Sequence, residues 1–149
     1  MICNSDTGLK RTMRLPVLSC IFERSITLAE RLKIIPLGGL DEIGKNITVL
    51  EYGRDMIIVD CGVGFPDEDM YGVDLVIPDF TYLVQNAKKI RGMFITHGHE
   101  DHIGSIPYCM QQVHCPIHGT AMTNGLIKLK LEEHKLADKV KLVTHKPGD

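Results

Sequence analysis

The sequence predicts a layered α/β domain, with helices packed against a sheet, and three observations carry that prediction. Short apolar runs of strand character occur three times in succession from Lys33 onward. Beyond the acidic loop that follows them, strand-like and helix-like patterns alternate to the end of the chain. The 149 residues are 44% hydrophobic and 24% charged, ordinary globular usage for one domain or a piece of a larger one, with no internal repeat or low-complexity segment.

The first strand is "LKIIPL", ended by Pro36 and the pair Gly38-Gly39. "NITVLEYG" alternates polar and apolar residues, the period of a half-buried strand. Gly53-Arg54 then turns the chain into "MIIVDCG", whose continuous apolar run suits a strand buried on both faces and ending at Asp60. A long loop rich in acids, glycine and proline follows, and "FTYLVQNAKKI" reads as a helix with Tyr82, Leu83, Ala87 and Ile90 on one side and Asp79 as N-cap. Strand "GMFIT" leads into a histidine-rich loop, then helix "GSIPYCMQQV", strand "CPIHG", helix "TAMTNGLIKLKLEEHKL" and strand "KVKLVT". Pro107 belongs in the first turn of its helix, where a missing N–H costs least.

Charge and cysteine content exclude several classes. With 17 Lys plus Arg against 19 Asp plus Glu, no overall basic field advertises nucleic acid or anionic membrane, so an RNA partner would need a local patch. Five cysteines, Cys3, Cys20, Cys61, Cys109 and Cys115, form no CxxC and argue against a disulfide framework or a zinc knuckle. A reducing cytoplasm fits that usage. No apolar run approaches the roughly 18 residues of a membrane span. "LPVLSCIF", Leu15 to Phe22, follows Lys10, Arg11 and Arg14 but lacks an A-x-A-like cleavage site, so residues 1–31 are expected to be a poorly ordered leader, with Met13 as an alternative start.

The chemistry concentrates in "FITHGHEDHIG". His97, His99, Asp101 and His102 follow a strand that should end beside them, where α/β folds place ligands. Residues two apart in extended chain point the same way, so His97, His99 and Asp101 are expected to converge, with His102 swinging in from the next helix. Imidazole and carboxylate are the ligand types zinc prefers, and Gly98 and Gly104 are expected to let the backbone bend around the ions. Isolated histidines such as His114, His118, His134 and His145 read as solvated loop residues, but four ligand types in six positions reverse that reading.

"THGHEDHIG" resembles the HxHxDH signature of the metallo-β-lactamase fold, with Asp60 in "IIVDCG" at that superfamily's first-motif position. The blocks "PLGGLDEIGKN", "FPDEDMYGVDLVIPDFTYL" and "HGHEDHIGSIPY" resemble the ribonuclease J branch of the β-CASP nucleases, from about Lys33 to Asp149. The resemblance implies a cytoplasmic ribonuclease that uses two zinc ions to cut RNA, internally or 5′ to 3′ from a monophosphorylated end, and that forms a homo-oligomer when full length. It also implies that His97 and His99 hold one zinc ion and Asp101 and His102 the other. Asp101 and Asp60 carry the catalytic assignment, Asp60 as an acid that braces ligand imidazoles without touching metal.

The same resemblance requires a third histidine and a bridging aspartate downstream, and a further histidine beyond the β-CASP insertion, none of which this chain matches. His145 precedes the position of the third ligand and reads as a loop residue. Residues 32–149 are therefore expected to be the first half of an αββα sandwich, without the β-CASP and C-terminal domains, and inactive alone. A different hydrolase of the fold, acting on a thioester or lactone, and a non-catalytic RNA-binding or assembly fragment remain as alternatives.

Overall fold

The computed structural model describes residues 30–146 and 148–149. The leader expected over residues 1–31 lies, through residue 29, outside the described residues. Six strands form one mixed sheet in chain order: β1 (Lys33–Gly38), β2 (Ile47–Tyr52), β3 (Asp55–Val59), β4 (Ile90–Phe94), β5 (Ile117–Thr120) and β6 (Leu142–His145). The first three strands pair antiparallel, and β3 through β6 run parallel. Tyr52 pairs with Asp55, so Gly53-Arg54 is the two-residue hairpin loop the sequence predicts, with Gly53 at φ 57°. Among the described residues, four α-helices pack with the sheet: α1 (Thr81–Gln85), α2 (Glu100–Ile103), α3 (Ile106–Met110) and α4 (Ala121–Glu133).

The two sheet faces are unlike. One cross-strand row, Val49, Ile58, Met93 and Ile117, is fully buried beneath the helical layer. The adjacent row, Thr48, Val59, Phe94, His118 and Val143, points the other way, and each of its members is half-buried or exposed. β3 corrects the expectation of burial on both faces: Met56 and Ile58 are buried, whereas Ile57 and Val59 are half-buried because no helix among the described residues covers their side. Leu83, Ile106, Met110, Ile127 and Leu131 come from α1, α3 and α4 to fill the core on the covered face.

Helix boundaries depart from the periodic reading in two places. The helix expected over residues 80–90 ends at Gln85, a 3₁₀ turn takes Ala87–Lys89, and Ile90 opens β4, so Ala87 and Ile90 do not share a helical face with Leu83. Asp79 still serves that helix start: its carboxylate accepts from the Thr81 N–H at 2.8 Å and the Thr81 hydroxyl at 2.6 Å, although Phe80 occupies the cap position. The helix expected over residues 104–113 is shorter, α3 taking only Ile106–Met110 with Pro107 in its first turn as predicted, while α2 forms ahead of it inside the expected histidine loop. Thr120 caps α4, its hydroxyl accepting from the Thr123 N–H. Among the described residues, no helix is long and apolar enough to cross a membrane.

Glu51 is a buried acid on the helical side of β2. It accepts from the Tyr82 hydroxyl at 2.6 Å, Lys89 Nζ at 2.9 Å and Lys33 Nζ at 3.2 Å. These donors, Tyr82 first and then the two lysines, hold its carboxyl down at about 2 against the desolvation that would raise it. A depressed acid stabilises the fold above its ordinary pKa and loses that contribution as pH falls through the folded value. Urea midpoints of the wild type should therefore fall between about pH 4.5 and pH 2 more steeply than those of Glu51→Gln. Parallel pH profiles for the two proteins would remove Glu51 from the acid response.

Candidate functional site

Three chain segments meet at the carboxyl ends of β3 and β4, and backbone hydrogen bonds lock them together. Asn46 N–H donates to the Asp101 carbonyl, Cys61 N–H to His102, Gly62 N–H to Asn46 and Val63 N–H to Glu100. Ser105 fastens the far side, its N–H donating to the Cys61 carbonyl at 3.0 Å and its hydroxyl to the Gly62 carbonyl at 2.7 Å. The histidine loop is thus held over the segment that follows β3.

Asp60 sits directly after β3 at φ 60°, a left-handed conformation that Asp tolerates better than most side chains. Its own N–H donates to the Phe94 carbonyl at 3.0 Å. Its carboxylate accepts from the Thr96 N–H at 2.7 Å, from the Thr96 hydroxyl at 3.0 and 2.8 Å, and from His102 Nδ1 at 2.8 Å. A carboxylate can only accept, so the Nδ1 of His102 carries the proton and its Nε2 is the nitrogen left for another partner.

The four predicted donors gather as two adjoining pairs. His97 Nε2 lies 3.1 Å from His99 Nδ1, and His102 Nε2 lies 3.3 Å from Asp101 Oδ2. The His97 and His102 ring centroids are 4.0 Å apart, which puts the pairs side by side. Among the described residues, no three His, Cys, Asp or Glu side chains share one metal-holding focus. Asp101 does not extend the alternation of His97 and His99, because the chain has entered α2 by that residue and its side chain turns to His102.

Asn46 and Thr96 were not singled out from sequence. The Asn46 amide donates to the Asp101 carboxylate at 3.0 Å and carbonyl at 3.1 Å, and it lies 3.2 Å from His102 Nε2. Thr96 joins Asp60 to His97, whose Nδ1 is 3.0 Å from its hydroxyl. Their partners lie 36 and 55 residues away in the chain, beyond the reach of local pattern. Thr96 stood next to the histidines and Asn46 inside a block of family resemblance, which were the signals present.

The glycines act differently from the expectation of a tight bend. Gly98 and Gly104 do not have positive φ; Gly104 lies in helical geometry at φ −65°. They supply room instead: a Cβ on Gly98 would press on Leu126 Cδ1 at 2.6 Å, and one on Gly104 on the Glu100 carbonyl at 2.6 Å. Leu126 and Met122 of α4 face the loop across a cavity of about 300 Å³ also lined by Thr96, His97, His99 and Thr120.

Two other expectations resolve away from the site. His145 is the last residue of β6, and its Nε2 is 2.9 Å from Nδ1 of His118 in β5. His118 is no loop histidine: it is half-buried and stacked on Phe94, and burial, helped by His145 and Lys141, lowers its imidazole pKa. Cys61, Cys109 and Cys115 are free thiols; burial raises the Cys61 thiol well above its ordinary value and that of Cys115 to about 12.

Residues 40–139 match the family model of the metallo-beta-lactamase superfamily. A ribonuclease J of Synechocystis sp. is 48% identical over 124 residues, which are 83% of this chain and 19% of that protein. A ribonuclease J of Helicobacter pylori strain 26695 is 46% identical over 115 residues, 77% of this chain and 17% of that protein. The chain therefore spans about a fifth of the length of these curated relatives. Among solved structures, a diphosphatase of the PhnP family aligns at a TM-score of 0.50 and 16% identity over 78% of this chain and 51% of its own, a likeness of fold alone. The α/β fold and the family resemblance drawn from the sequence both stand.

Gly62 is where this geometry is least tolerant. A Cβ there would overlap the Asp101 carbonyl group, which is backbone and pinned by Asn46. Gly62→Ala should cost about 1–3 kcal/mol in chemical denaturation, as overpacking does, and should displace Asp101 from Asn46. A variant of wild-type stability with an unshifted Asn46 side-chain amide resonance would show that the segments can part without loss.

Proposed function

Because the chain belongs to the metallo-beta-lactamase superfamily, we propose that it carries the metal-holding part of a zinc-dependent ribonuclease. On this reading His97 and His99 hold one zinc ion, Asp101 and His102 a second, and Asp60 braces the imidazoles. Residues 32–149 form the first part of the catalytic domain. The substrate is RNA, cut internally or 5′ to 3′ from a 5′-monophosphate, in the cytoplasm and by an oligomer of a longer chain.

The observation that carries the reading is a spacing. Ligand nitrogens and oxygens about 2.0–2.1 Å from a tetrahedral zinc ion stand about 3.3 Å from each other. The two donor pairs stand at 3.1 and 3.3 Å. The donor chemistry agrees, being imidazole nitrogen and carboxylate oxygen with a carboxylate bonded behind one ring. Choice of RNA over a small ester rests on the two relatives, both named ribonuclease J, since the fold itself hosts unrelated chemistries.

When bound, a divalent metal supplies acidified water and positive charge against phosphoryl oxygens. The chain's residues do the rest. Asp60 keeps the Nδ1 proton of His102 in place, so that Nε2 presents a lone pair. Asn46 holds Asp101 at its carbonyl and its carboxylate, fixing that acid beside His102. Met122 and Leu126 line the cavity beside His97 and His99 with apolar surface.

Two measurements test the proposal. In a protein of the relatives' full length carrying this sequence, His99→Ala should lower cleavage of a 5′-monophosphorylated RNA by about 100-fold or more, the loss of several kcal/mol of metal assistance. The 149-residue chain alone, with four donors for two ions, should bind zinc weakly by elemental analysis after dialysis and should not turn RNA over. Wild-type cleavage by the His99→Ala protein at limiting zinc would overturn the ligand assignment, and hydrolysis of small esters without RNA cleavage would move the protein to another branch of the superfamily.

A further inference from the structure

We propose that Thr96 is a positioning residue that fixes the tautomer of His97, so that one carboxylate, Asp60, presets an imidazole in each donor pair. The Thr96 hydroxyl has one hydrogen and three close neighbours: Asp60 Oδ2 at 2.8 Å, Asp60 Oδ1 at 3.0 Å and His97 Nδ1 at 3.0 Å. The Asp60 oxygens can only accept, so the hydroxyl hydrogen is committed to the carboxylate. Toward His97 the hydroxyl has only lone pairs to offer. Nδ1 of His97 must then carry a proton and donate it, which leaves Nε2 as the lone-pair nitrogen. Nε2 is the atom that faces His99 at 3.1 Å.

Asp60 therefore acts in two directions. It holds Nδ1–H of His102 directly and Nδ1–H of His97 through a single hydroxyl. The Thr96 backbone makes the relay rigid, since its N–H donates to Oδ1 of the same Asp60 carboxylate at 2.7 Å. A threonine that only stitched the turn would need that backbone bond and not the hydroxyl. A relay needs the hydroxyl, and any side chain that keeps it should suffice.

That difference gives the test. In the metal-free chain at alkaline pH, histidine tautomers are read from two-bond and three-bond ¹H–¹⁵N correlations. Wild type and Thr96→Ser should both show His97 protonated at Nδ1. Thr96→Val, which keeps the backbone bond and the β-branch, should release His97 to a mixture of tautomers while His102, bound to Asp60 directly, stays protonated at Nδ1. Unchanged His97 in Thr96→Val would overturn the relay, and so would a change in His97 and His102 together, which marks general loosening. A second readout rests on the zinc reading above: by competition with a chromophoric chelator, Thr96→Val should bind zinc about 10- to 100-fold more weakly than wild type, and Thr96→Ser close to it. If a wild-type protein of the relatives' full length takes up no zinc yet the tautomer of His97 follows the hydroxyl, the metal reading fails and the relay stands.

Discussion

Everything at the site hangs on the carboxylate of Asp60. The residue adopts a left-handed backbone, at a cost of about 1–2 kcal/mol for an L side chain, immediately after the last paired residue of β3. That turn lifts the carboxylate across the end of β4, where a straight strand would have carried it past. There it meets the Thr96 amide, the Thr96 hydroxyl and the His102 imidazole, three donors that offset the burial of an acid with 6% exposure. Its own N–H, bonded to the Phe94 carbonyl, ties the same turn to β4. The strained backbone and the satisfied carboxylate are therefore one arrangement, and the loop from Thr96 to His102 is shaped around it.

Sidedness of the sheet explains why such a site can be open and still rigid. The row Val49, Ile58, Met93 and Ile117 anchors β2 through β5 in the core, so the strand ends that carry Asp60 and Thr96 are fixed from below. Above them the donors stay accessible, with His97 and His102 half-buried and His99 exposed. On the other face, Phe94 keeps 40% of its surface exposed and shares its row with Val59 and His118. Rigidity comes from one side of the sheet only.

Much of this was legible in the sequence because it depended on neighbours. The Gly53-Arg54 hairpin, Pro107 in a first turn and the strand that ends at the histidine loop are local patterns, and they fell where local rules put them. The failures share the opposite cause. Ile90 has the spacing of a helical face but is taken by β4 through pairing with Met56. The helix expected to begin at residue 104 begins only at Ile106, after Ser105, whose amide and hydroxyl bond to Cys61 and Gly62, more than forty residues upstream. Asn46 and Thr96 escaped notice for the same reason: each matters through a partner that only the folded chain brings near. Residue types announced the donors, while the groups that orient them were set by tertiary hydrogen bonds.

Strand order in this sheet is chain order, from β1 to β6, and that has a consequence for how the site comes into being. Each strand adds at the edge of those already formed, and no later strand must be threaded between earlier ones. All the polar partners of the site, from Asn46 to His102, belong to segments that precede β5. During synthesis from the amino terminus, where domains assemble as the chain emerges, the hydrogen-bonded frame around Asp60 has every one of its members translated before the last two strands are made. Assembly of the frame draws on contacts already translated, and β5, α4 and β6 arrive as a buttress to a constellation whose parts are already present.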